Sequence, residues 1–214
     1  MLFRTAITLL AALSLFACDA NADKFVAGEH YEVVAEKSTA KPEIKEFFSF
    51  YCGHCFAFEP IATQLSKNLP AGVELEKVHV DFLGGVPQEM QSALSRAYVV
   101  GKNAGQAEQV SAVIFNYIHR QRATFASDAD IRSVLLVNDF DAATFDNTYN
   151  SMPVLSAAAK MKEQQTYWSE NRVLTGVPML LVNGKYKLKL DKLDRDNLDE
   201  DLKQLVAYLL AKKD

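Results

Sequence analysis

The feature that most constrains the fold of this chain is a closely spaced pair of cysteines between two segments of different periodicity. The stretch FFSFYCGHCFAFEP (Phe47–Pro60) contains Cys52 and Cys55. Just upstream and overlapping it, EIKEFFSFY (Glu43–Tyr51) is dense in aromatic residues and predicts a buried central strand. From residue 53 to residue 68 apolar residues recur at helical spacing, and Pro60 should kink that helix. The first cysteine is therefore expected at a helix N-terminus.

A helix N-terminus favours the thiolate form of Cys52. The unpaired backbone N–H groups and the helix dipole attract an anion there, and cysteine pKa values in such settings fall from about 8.5 to roughly 3.5–7.5. Stabilising the thiolate stabilises the reduced dithiol, which makes the disulfide a better oxidant. Cys55 lies one turn later and is the expected resolving thiol, while His54 adds a donor or a positive charge. The pattern favours a redox-active dithiol.

Two other uses of a cysteine pair are a metal site and a structural disulfide. Structural zinc usually needs four ligands, often two CxxC pairs or one CxxC with spaced histidines. The chain has 3 cysteines and 4 histidines, and no two histidines form an HxxxH pair. A disulfide that closes a two-residue loop stabilises little, because it removes little chain entropy. A metal-binding or scaffold protein without thiol exchange is the alternative from a different functional class.

The first 22 residues have the pattern of a secretory signal peptide. Arg4 precedes an apolar run, Ala6–Ala17, and Ala20–Ala22 forms a small-x-small cleavage site. The mature chain would then begin near Asp23, in an oxidising compartment where disulfides persist. Cys18 would be removed with the signal. The alternative is a lipid anchor at Cys18, because LFAC loosely resembles a lipoprotein processing box.

Composition excludes some other classes of function. Hydrophobic residues make up 49% of the chain and charged residues 23%, which fits a soluble globular protein with a core. The net charge of −4 gives no support for nucleic-acid binding, which normally uses a basic patch. No GxGxxG or GxxxxGK[ST] phosphate-binding motif occurs.

The periodicity divides the rest of the chain into three parts. Residues 23–82 mix a helix with strand-like segments such as Tyr31–Glu36 and Val73–Phe82. Residues 83–165 lack strand alternation and contain four helical segments, with Ser127 and Asp141 as predicted N-caps. Residues 166–214 return to the mixed pattern. We therefore expect an α/β fold in which an all-helical insertion separates two halves of one domain.

The last part of the chain predicts a hairpin followed by a helix. Met179–Val182 is an apolar strand, and Asn183-Gly184 is a strong signal for a type I′ turn, in which both central residues need positive φ. A leucine-rich stripe predicts a final helix over residues 198–211. The bond before Pro178 is an X-Pro bond, and only about 5–6% of these are cis in folded proteins, so this residue pattern alone gives little reason to expect a cis bond.

Three separated motifs together closely resemble the DsbA family, the thioredoxin-fold thiol:disulfide oxidoreductases of the bacterial periplasm. The motifs are EFFSFYCGHCFAFE, VHVDFLGG and GVPMLLVNGKY. Their order and spacing match the family from about Phe25 to the C-terminus, including the helical insertion. The resemblance implies a thioredoxin-like α/β fold and an enzyme that donates its disulfide to newly exported proteins. It also implies reoxidation by a membrane quinone-linked partner of the DsbB type, no cofactor beyond the disulfide, and a monomer.

The resemblance also assigns roles to individual residues. Cys52 corresponds to the exposed nucleophile that forms the mixed disulfide with substrate, and Cys55 to its buried partner. Gly53 and His54 are the variable dipeptide that tunes the redox potential. Pro178 corresponds to the family's cis-proline facing the disulfide. The expected substrate-binding residues are Val177, Gly53 and Phe56. The charged pair Glu46 and Lys77 completes the expected site.

The residues around Glu46 agree with that last assignment. A carboxylate within the apolar segment IKEFF is costly to bury unless it is paired, and burial raises its pKa so that it can exchange protons. We expect Glu46 to shuttle protons to Cys55, with Lys77 holding it in place. The alternative from the sequence is a solvated glutamate at a strand edge.

One departure from the family pattern concerns the dipeptide between the cysteines. The commonest family dipeptide is Pro-His, whereas this chain has Gly53-His54, which is typical of eukaryotic protein disulfide isomerases. A less oxidising isomerase or reductase is therefore the alternative enzymatic function. Against this alternative, we expect no additional dimerisation domain of the kind that dedicated periplasmic isomerases contain.

Overall fold

The computed structural model describes residues 24–212. The predicted signal peptide (1–22) and Cys18 lie outside these residues. The described part contains five strands: β1 Tyr31–Val33, β2 Ile44–Phe48, β3 Leu75–His79, β4 Met179–Val182 and β5 Tyr186–Leu188. It also contains seven α-helices: α1 Gly53–Lys67, α2 Gln88–Asn103, α3 Ala107–Phe115, α4 Asp128–Leu136, α5 Ala142–Thr148, α6 Met152–Glu170 and α7 Leu198–Ala211.

The strands form one mixed sheet in the order β1-β5-β4-β2-β3. Strands β2 and β3 are parallel and are joined through α1, while the other neighbouring strands pair antiparallel. All four residues of β4 are buried, as are four of the five residues of β2, which explains the apolar runs in both segments. In the register of the parallel pair, Glu46 of β2 lies opposite Lys77 of β3.

Two buried clusters hold the elements together. One cluster joins the end of β2, at Phe47 and Phe48, to insertion residues such as Leu94 of α2 and Ile114 of α3. The other joins the opposite part of the sheet to the leucine stripe of α7. Helix α1 contributes to both, since Cys55 belongs to the first cluster while Phe58, Ala62 and Leu65 belong to the second. The start of α1 is thus fixed by the sheet, the insertion and α7 together.

The structure confirms the thioredoxin-like α/β class with a helical insertion, and it confirms several local predictions. Ser127 Oγ accepts a hydrogen bond from the Asp130 N–H at 3.2 Å, and Asp141 Oδ1 accepts one from the Thr144 N–H at 2.7 Å. Asn183 and Gly184 have φ values of 52° and 60°, as a type I′ turn requires. Helix α7 spans the predicted residues 198–211.

Other details differ from the sequence-based expectations. The predicted strands over Tyr31–Glu36 and Val73–Phe82 shorten to β1 and β3. Helix α6 was not predicted as a separate element, and it runs to Glu170, so the predicted boundary at residue 165 falls inside it. One of the four predicted helical segments of the insertion is α3 followed by a π-helical turn, Asn116–Arg120. Helix α1 includes Pro60, as expected, and the kink at this residue stays a prediction. Between residues 24 and 212 no helix is both long enough and apolar enough to span a membrane.

Candidate active site

The two cysteines lie at the start of α1, where the buried strand β2 gives way to the helix. Cys52 is the N-cap residue, and its sulfur accepts a hydrogen bond from the Cys55 N–H at 3.3 Å. The Cys52 carbonyl accepts the first intrahelical bond, from the Phe56 N–H at 3.0 Å. A sulfur in the N-cap position faces backbone donors that have no partner within the helix. The two sulfurs are free thiols in this structure.

The surroundings of Cys52 lower the pKa of its thiol to about 6. The largest cause is a hydrogen bond with the Cys55 side chain, while burial acts in the opposite direction. The backbone N–H groups of Cys55 and His54 and the charge of His54 lower the pKa further. The result is a Cys52 thiolate at neutral pH, stabilised by groups that all belong to the CGHC segment.

Cys55 has the opposite character. Its side chain is fully buried, and its pKa is raised far above the usual range of a thiol, first by the hydrogen bond with Cys52 and then by burial. Cys52 is more enclosed than the predicted exposed nucleophile, with 8% of its surface exposed. Its neighbours at the start of the helix, Gly53 and His54, are both exposed.

The loop before β4 forms the other wall of the site. The Val177-Pro178 peptide bond is cis, and both residues are half-buried. The sulfur of Cys52 lies 3.3 Å from the carbonyl oxygen of Val177 and donates to it as a thiol. The preceding Thr175 and Gly176 are exposed. The main chain of this loop thus passes directly beside the N-terminal cysteine.

Glu46 of β2 is completely buried, and its charge raises the pKa of Cys55. Burial raises its pKa to about 7, against the opposing effect of Lys77, and the charge of Glu59 raises it further. The Lys77 ammonium is 3.5 Å from the Glu46 carboxylate, but its closer ion-pair partner is Glu59 on α1. Neither oxygen of Glu46 has a hydrogen-bond partner among the described residues. The predicted pair of Glu46 and Lys77 is therefore part of a cluster of three charged residues, with Lys77 between Glu46 and Glu59.

Phe56 connects the catalytic helix to the insertion. It is half-buried, and its ring stacks on the His119 ring with centroids 5.0 Å apart and an interplanar angle of 7°. The guanidinium of Arg120 lies 5.7 Å from the same ring. The predicted substrate-binding Phe56 thus has one face covered by the π-helical turn of the insertion.

Sequence reasoning missed three residues that contact this region. Glu59 follows Cys55 by four residues, so helical spacing could have placed it on the face of Cys55. His79 and His119 each lie next to the Phe50 backbone, and no local pattern in the sequence indicates either contact. In the part of the chain from residue 24 to residue 212, no cluster of three or more His, Cys, Asp or Glu side chains could hold a metal ion.

A family model described as a DSBA-like thioredoxin domain matches residues 43–203. The chain belongs to the DsbA family. It is 34% identical over 205 residues to the thiol:disulfide interchange protein DsbA of Pectobacterium carotovorum, covering 93% of this chain and 95% of that protein. It is also 34% identical over 210 residues to DsbA of Escherichia coli K12, covering 95% and 97% of the two chains.

Solved DsbA structures show the same fold. A cysteine-to-serine variant of Proteus mirabilis DsbA in complex with the non-covalently bound peptide PWATCDS has a TM-score of 0.75 and 28% identity, covering 88% of this chain and 99% of that chain. A Klebsiella pneumoniae DsbA has a TM-score of 0.75 and 29% identity, covering 88% and 98%. This DsbA-family chain is accordingly a disulfide oxidoreductase with a thioredoxin-like fold.

Proposed function

We propose that this DsbA-family protein donates the Cys52–Cys55 disulfide to newly exported, unfolded proteins in the periplasm. The observation that carries the proposal is the position of the Cys52 sulfur at the N-cap of α1, where its pKa is lowered to about 6. A stabilised thiolate favours the reduced protein, so the oxidised protein gives up its disulfide readily. The redox group is the disulfide itself, and the reaction needs no added cofactor.

The reaction proceeds through two thiol–disulfide exchanges. A substrate thiolate attacks the Cys52 sulfur, the Cys52–Cys55 bond breaks, and the electron pair leaves on Cys55. A second substrate thiolate then attacks the substrate sulfur of this mixed disulfide and expels Cys52 as a thiolate. The substrate loses two electrons and forms one disulfide, while the enzyme gains both. Of the two protons released by the substrate thiols, one is taken up at Cys55 and the other passes to solvent.

Glu46 is suited to deliver the proton to Cys55. The thiolate of Cys55 is strongly disfavoured, so its departure from the disulfide requires prompt protonation. A buried carboxyl with a pKa raised to about 7 holds a proton in a substantial fraction of molecules near neutral pH. The negative charge of Glu46 also raises the pKa of Cys55, so the protonation of the two groups is linked. Lys77 keeps the carboxyl from becoming permanently neutral.

Substrate binds along the loop before β4 and over the start of α1. The exposed residues Thr175 and Gly176 lead to the Val177 carbonyl, which lies 3.3 Å from the Cys52 sulfur. An extended peptide aligned with this loop would pair with the Val177 backbone and bring a cysteine to Cys52. The peptide complex of the Proteus mirabilis DsbA supports peptide binding by this fold. Phe56 and the Pro178 region supply apolar contacts for unfolded chains.

The proposal extends to the cellular setting. The signal peptide predicted over residues 1–22 directs the chain to the periplasm, with cleavage before Asp23 favoured over a lipid anchor at Cys18. The reduced enzyme is reoxidised by a membrane quinone-linked partner of the DsbB type, which accepts the two electrons. The protein acts as a monomer.

The second candidate function is disulfide isomerisation or reduction, and the Gly53-His54 dipeptide favours it. A redox titration against glutathione separates the two. The established potential of a DsbA oxidant is about −120 mV and that of protein disulfide isomerase about −180 mV. A potential near or above about −120 mV supports disulfide donation. A potential at or below about −180 mV supports isomerisation or reduction.

Two serine variants test the roles of the cysteines. In an oxidative refolding assay, both Cys52→Ser and Cys55→Ser should fail to oxidise a reduced test protein that oxidised wild type restores. Exposed to glutathione disulfide, reduced Cys55→Ser should form a stable mixed disulfide at Cys52. Cys52→Ser should remain unmodified, because Cys55 is buried and its thiolate is disfavoured. The proposal fails if both variants refold the test protein as well as wild type.

A further inference from the structure

The peptide groups on either side of Phe50, two residues before Cys52, are held by two histidines from different parts of the chain. His79 Nε2 accepts a hydrogen bond from the Phe50 N–H at 3.2 Å. His119 Nε2 lies 2.8 Å from the Phe50 carbonyl oxygen. A carbonyl oxygen only accepts, so this nitrogen of His119 must carry the proton and donate. We call this arrangement of His79, Phe50 and His119 the histidine clamp.

The clamp is anchored on helix α2. His79 Nδ1 lies 2.8 Å from Ser95 Oγ, which in turn donates to the Gln91 carbonyl at 3.3 Å. Because His79 Nε2 accepts from Phe50, the neutral ring must donate from Nδ1 to Ser95. Burial lowers the pKa of His79 to about 3, which keeps this ring neutral. The hydrogen bonds therefore all run in one direction. His119 donates to the Phe50 carbonyl, the Phe50 N–H donates to His79, and His79 donates to Ser95 of α2.

The held peptide groups belong to the turn that delivers Cys52 to the helix. The Cys52 N–H donates to the Ser49 carbonyl at 3.1 Å, and the Tyr51 N–H donates to Ser49 Oγ at 3.2 Å. Phe50 is inside this turn and is completely buried. The Ser49 backbone also makes a hydrogen bond that stabilises the thiolate of Cys55. A shift of the turn would therefore move Cys52 itself and the Ser49 backbone group that binds Cys55.

Through His119, the helical insertion contacts the chain both before and after the cysteine pair. It lies in the π-helical turn Asn116–Arg120, and π-helical turns are frequent at functional sites. Its ring nitrogen binds the chain before Cys52, and its ring face stacks on Phe56, the residue after Cys55. The donor and the ring face are separate contacts, so different substitutions can remove them one at a time.

We propose that His79 and His119 are positioning residues that fix the Ser49–Cys52 turn and thereby set the redox potential of the Cys52–Cys55 couple. The hydrogen bond from His119 to the Phe50 carbonyl is the contribution of the helical insertion to this arrangement. Losing it lets the turn relax, which moves Cys52 relative to the N-cap donors of α1 and moves the Ser49 backbone relative to Cys55. The reduced protein then becomes less stable relative to the oxidised protein. The inference rests on the proposed roles of Cys52 and Cys55.

Two substitutions of His119 separate its two contacts. His119→Phe keeps a ring against Phe56 but removes the donor to Phe50. His119→Gln keeps an N–H donor of similar reach but removes the ring. Arg120→Gln is the matched control, because it alters the same turn and the same Phe56 ring without touching Phe50. Urea unfolding of each variant establishes that it is folded before its redox properties are compared.

The readouts are the equilibrium constant with glutathione and the Cys52 thiolate titration. His119→Phe should lower the constant for reduction of the enzyme by about tenfold, equivalent to about 30 mV for a two-electron couple, and should raise the pKa of Cys52. His119→Gln and Arg120→Gln should stay close to wild type. The proposal is overturned if His119→Phe leaves both quantities unchanged, or if His119→Gln shifts them as much. A weakly oxidising wild type would instead argue against the proposed donor function, so the two failures are distinguishable.

Discussion

The sulfur of Cys52 lies 3.3 Å from the carbonyl oxygen of Val177, a residue 125 positions away along the chain. A carbonyl oxygen stabilises a thiol that donates to it and disfavours a thiolate, because both atoms then carry negative charge. The lowered pKa of Cys52 therefore arises on the opposite side, from the Cys55 side chain and the backbone donors at the start of α1. In the proposed function, the same loop backbone would guide an incoming substrate to Cys52.

The first prediction concerns the pH dependence of stability in the reduced protein. The pKa of Cys52 falls from about 9 when unfolded to about 6 when folded, so the unfolded chain binds more protons between these values. This contribution to the free energy of unfolding is fully present above about pH 9 and is lost as the pH falls through about 6. The oxidised protein lacks this titration and serves as the control. Urea unfolding of both forms from pH 5 to 9 should show their stability difference shifting in favour of the reduced form as the pH rises, and a constant difference would contradict the prediction.

The second prediction concerns the buried carboxyl of Glu46. Its pKa is raised from 4.5 to about 7 on folding, so its contribution to stability is present below about pH 4.5 and is lost as the pH rises through about 7. Glu46→Gln should therefore raise the free energy of unfolding at pH 8 by about 3 kcal/mol.

The same Glu46→Gln variant should slow protonation of Cys55 and so reduce the rate of disulfide donation. Glu59→Gln alters the more exposed member of the cluster and is the control. No gain in stability for Glu46→Gln at pH 8 would show that the carboxyl is not held in a costly ionised state.

The third prediction compares the two residues between the cysteines. His54→Ala removes a charge that lowers the pKa of Cys52 but leaves the backbone donor in place, so the equilibrium constant with glutathione should fall only about two- to fivefold. Gly53→Ala adds a methyl group that meets no atom within 4 Å and should raise the free energy of unfolding by about 0.4–1 kcal/mol. It should leave the pKa of Cys52 unchanged. A larger redox effect from Gly53→Ala than from His54→Ala would reverse the assigned roles.

The fourth prediction concerns the close contact of α2 and α3 in the insertion. A Cβ atom on Gly101 would lie 2.6 Å from Cγ2 of Val110. Overpacking of this kind costs about 1–3 kcal/mol, partly offset by about 1 kcal/mol of helix propensity. Gly101→Ala should therefore lower the free energy of unfolding by up to about 2 kcal/mol. Combining it with Val110→Ala should cost less than the sum of the two single variants, and strict additivity would show that the two residues do not compete for space.

The local patterns of the sequence predicted much of this fold. The N-caps at Ser127 and Asp141 and the Asn183-Gly184 turn depend on residues within three positions of one another, so they could be identified without knowing the tertiary structure. The position of Cys52 at a helix start followed in the same way from the strand and helix periodicity around it. The cis bond before Pro178 was expected from the family resemblance alone. The identity of Lys77 as the partner of Glu46 also came from the resemblance, while the apolar segment around Glu46 indicated only that a buried carboxylate needs a partner.

The contacts that could not be predicted join residues far apart in the sequence. His79 and His119 converge on Phe50 from β3 and from the insertion, and neither approach has a local signal. Helix α6 was not predicted because its segment has few apolar residues at helical spacing. Only three of its side chains are buried. The enclosure of Cys52 also depends on tertiary structure, since the carbonyl of Val177 comes from a distant loop. Local patterns therefore identified the reacting cysteine but not the residues that surround it.

An ultraviolet titration of the Cys52 thiolate in the reduced protein tests the central claim most directly. Thiolate absorbance should appear with a midpoint near pH 6, and Cys52→Ser should remove the transition. Cys55 should not contribute at neutral pH, because its pKa is raised. A midpoint near 8.5, the value of a free cysteine, would mean that the start of α1 does not stabilise the anion and that the disulfide has no electrostatic reason to pass to a substrate.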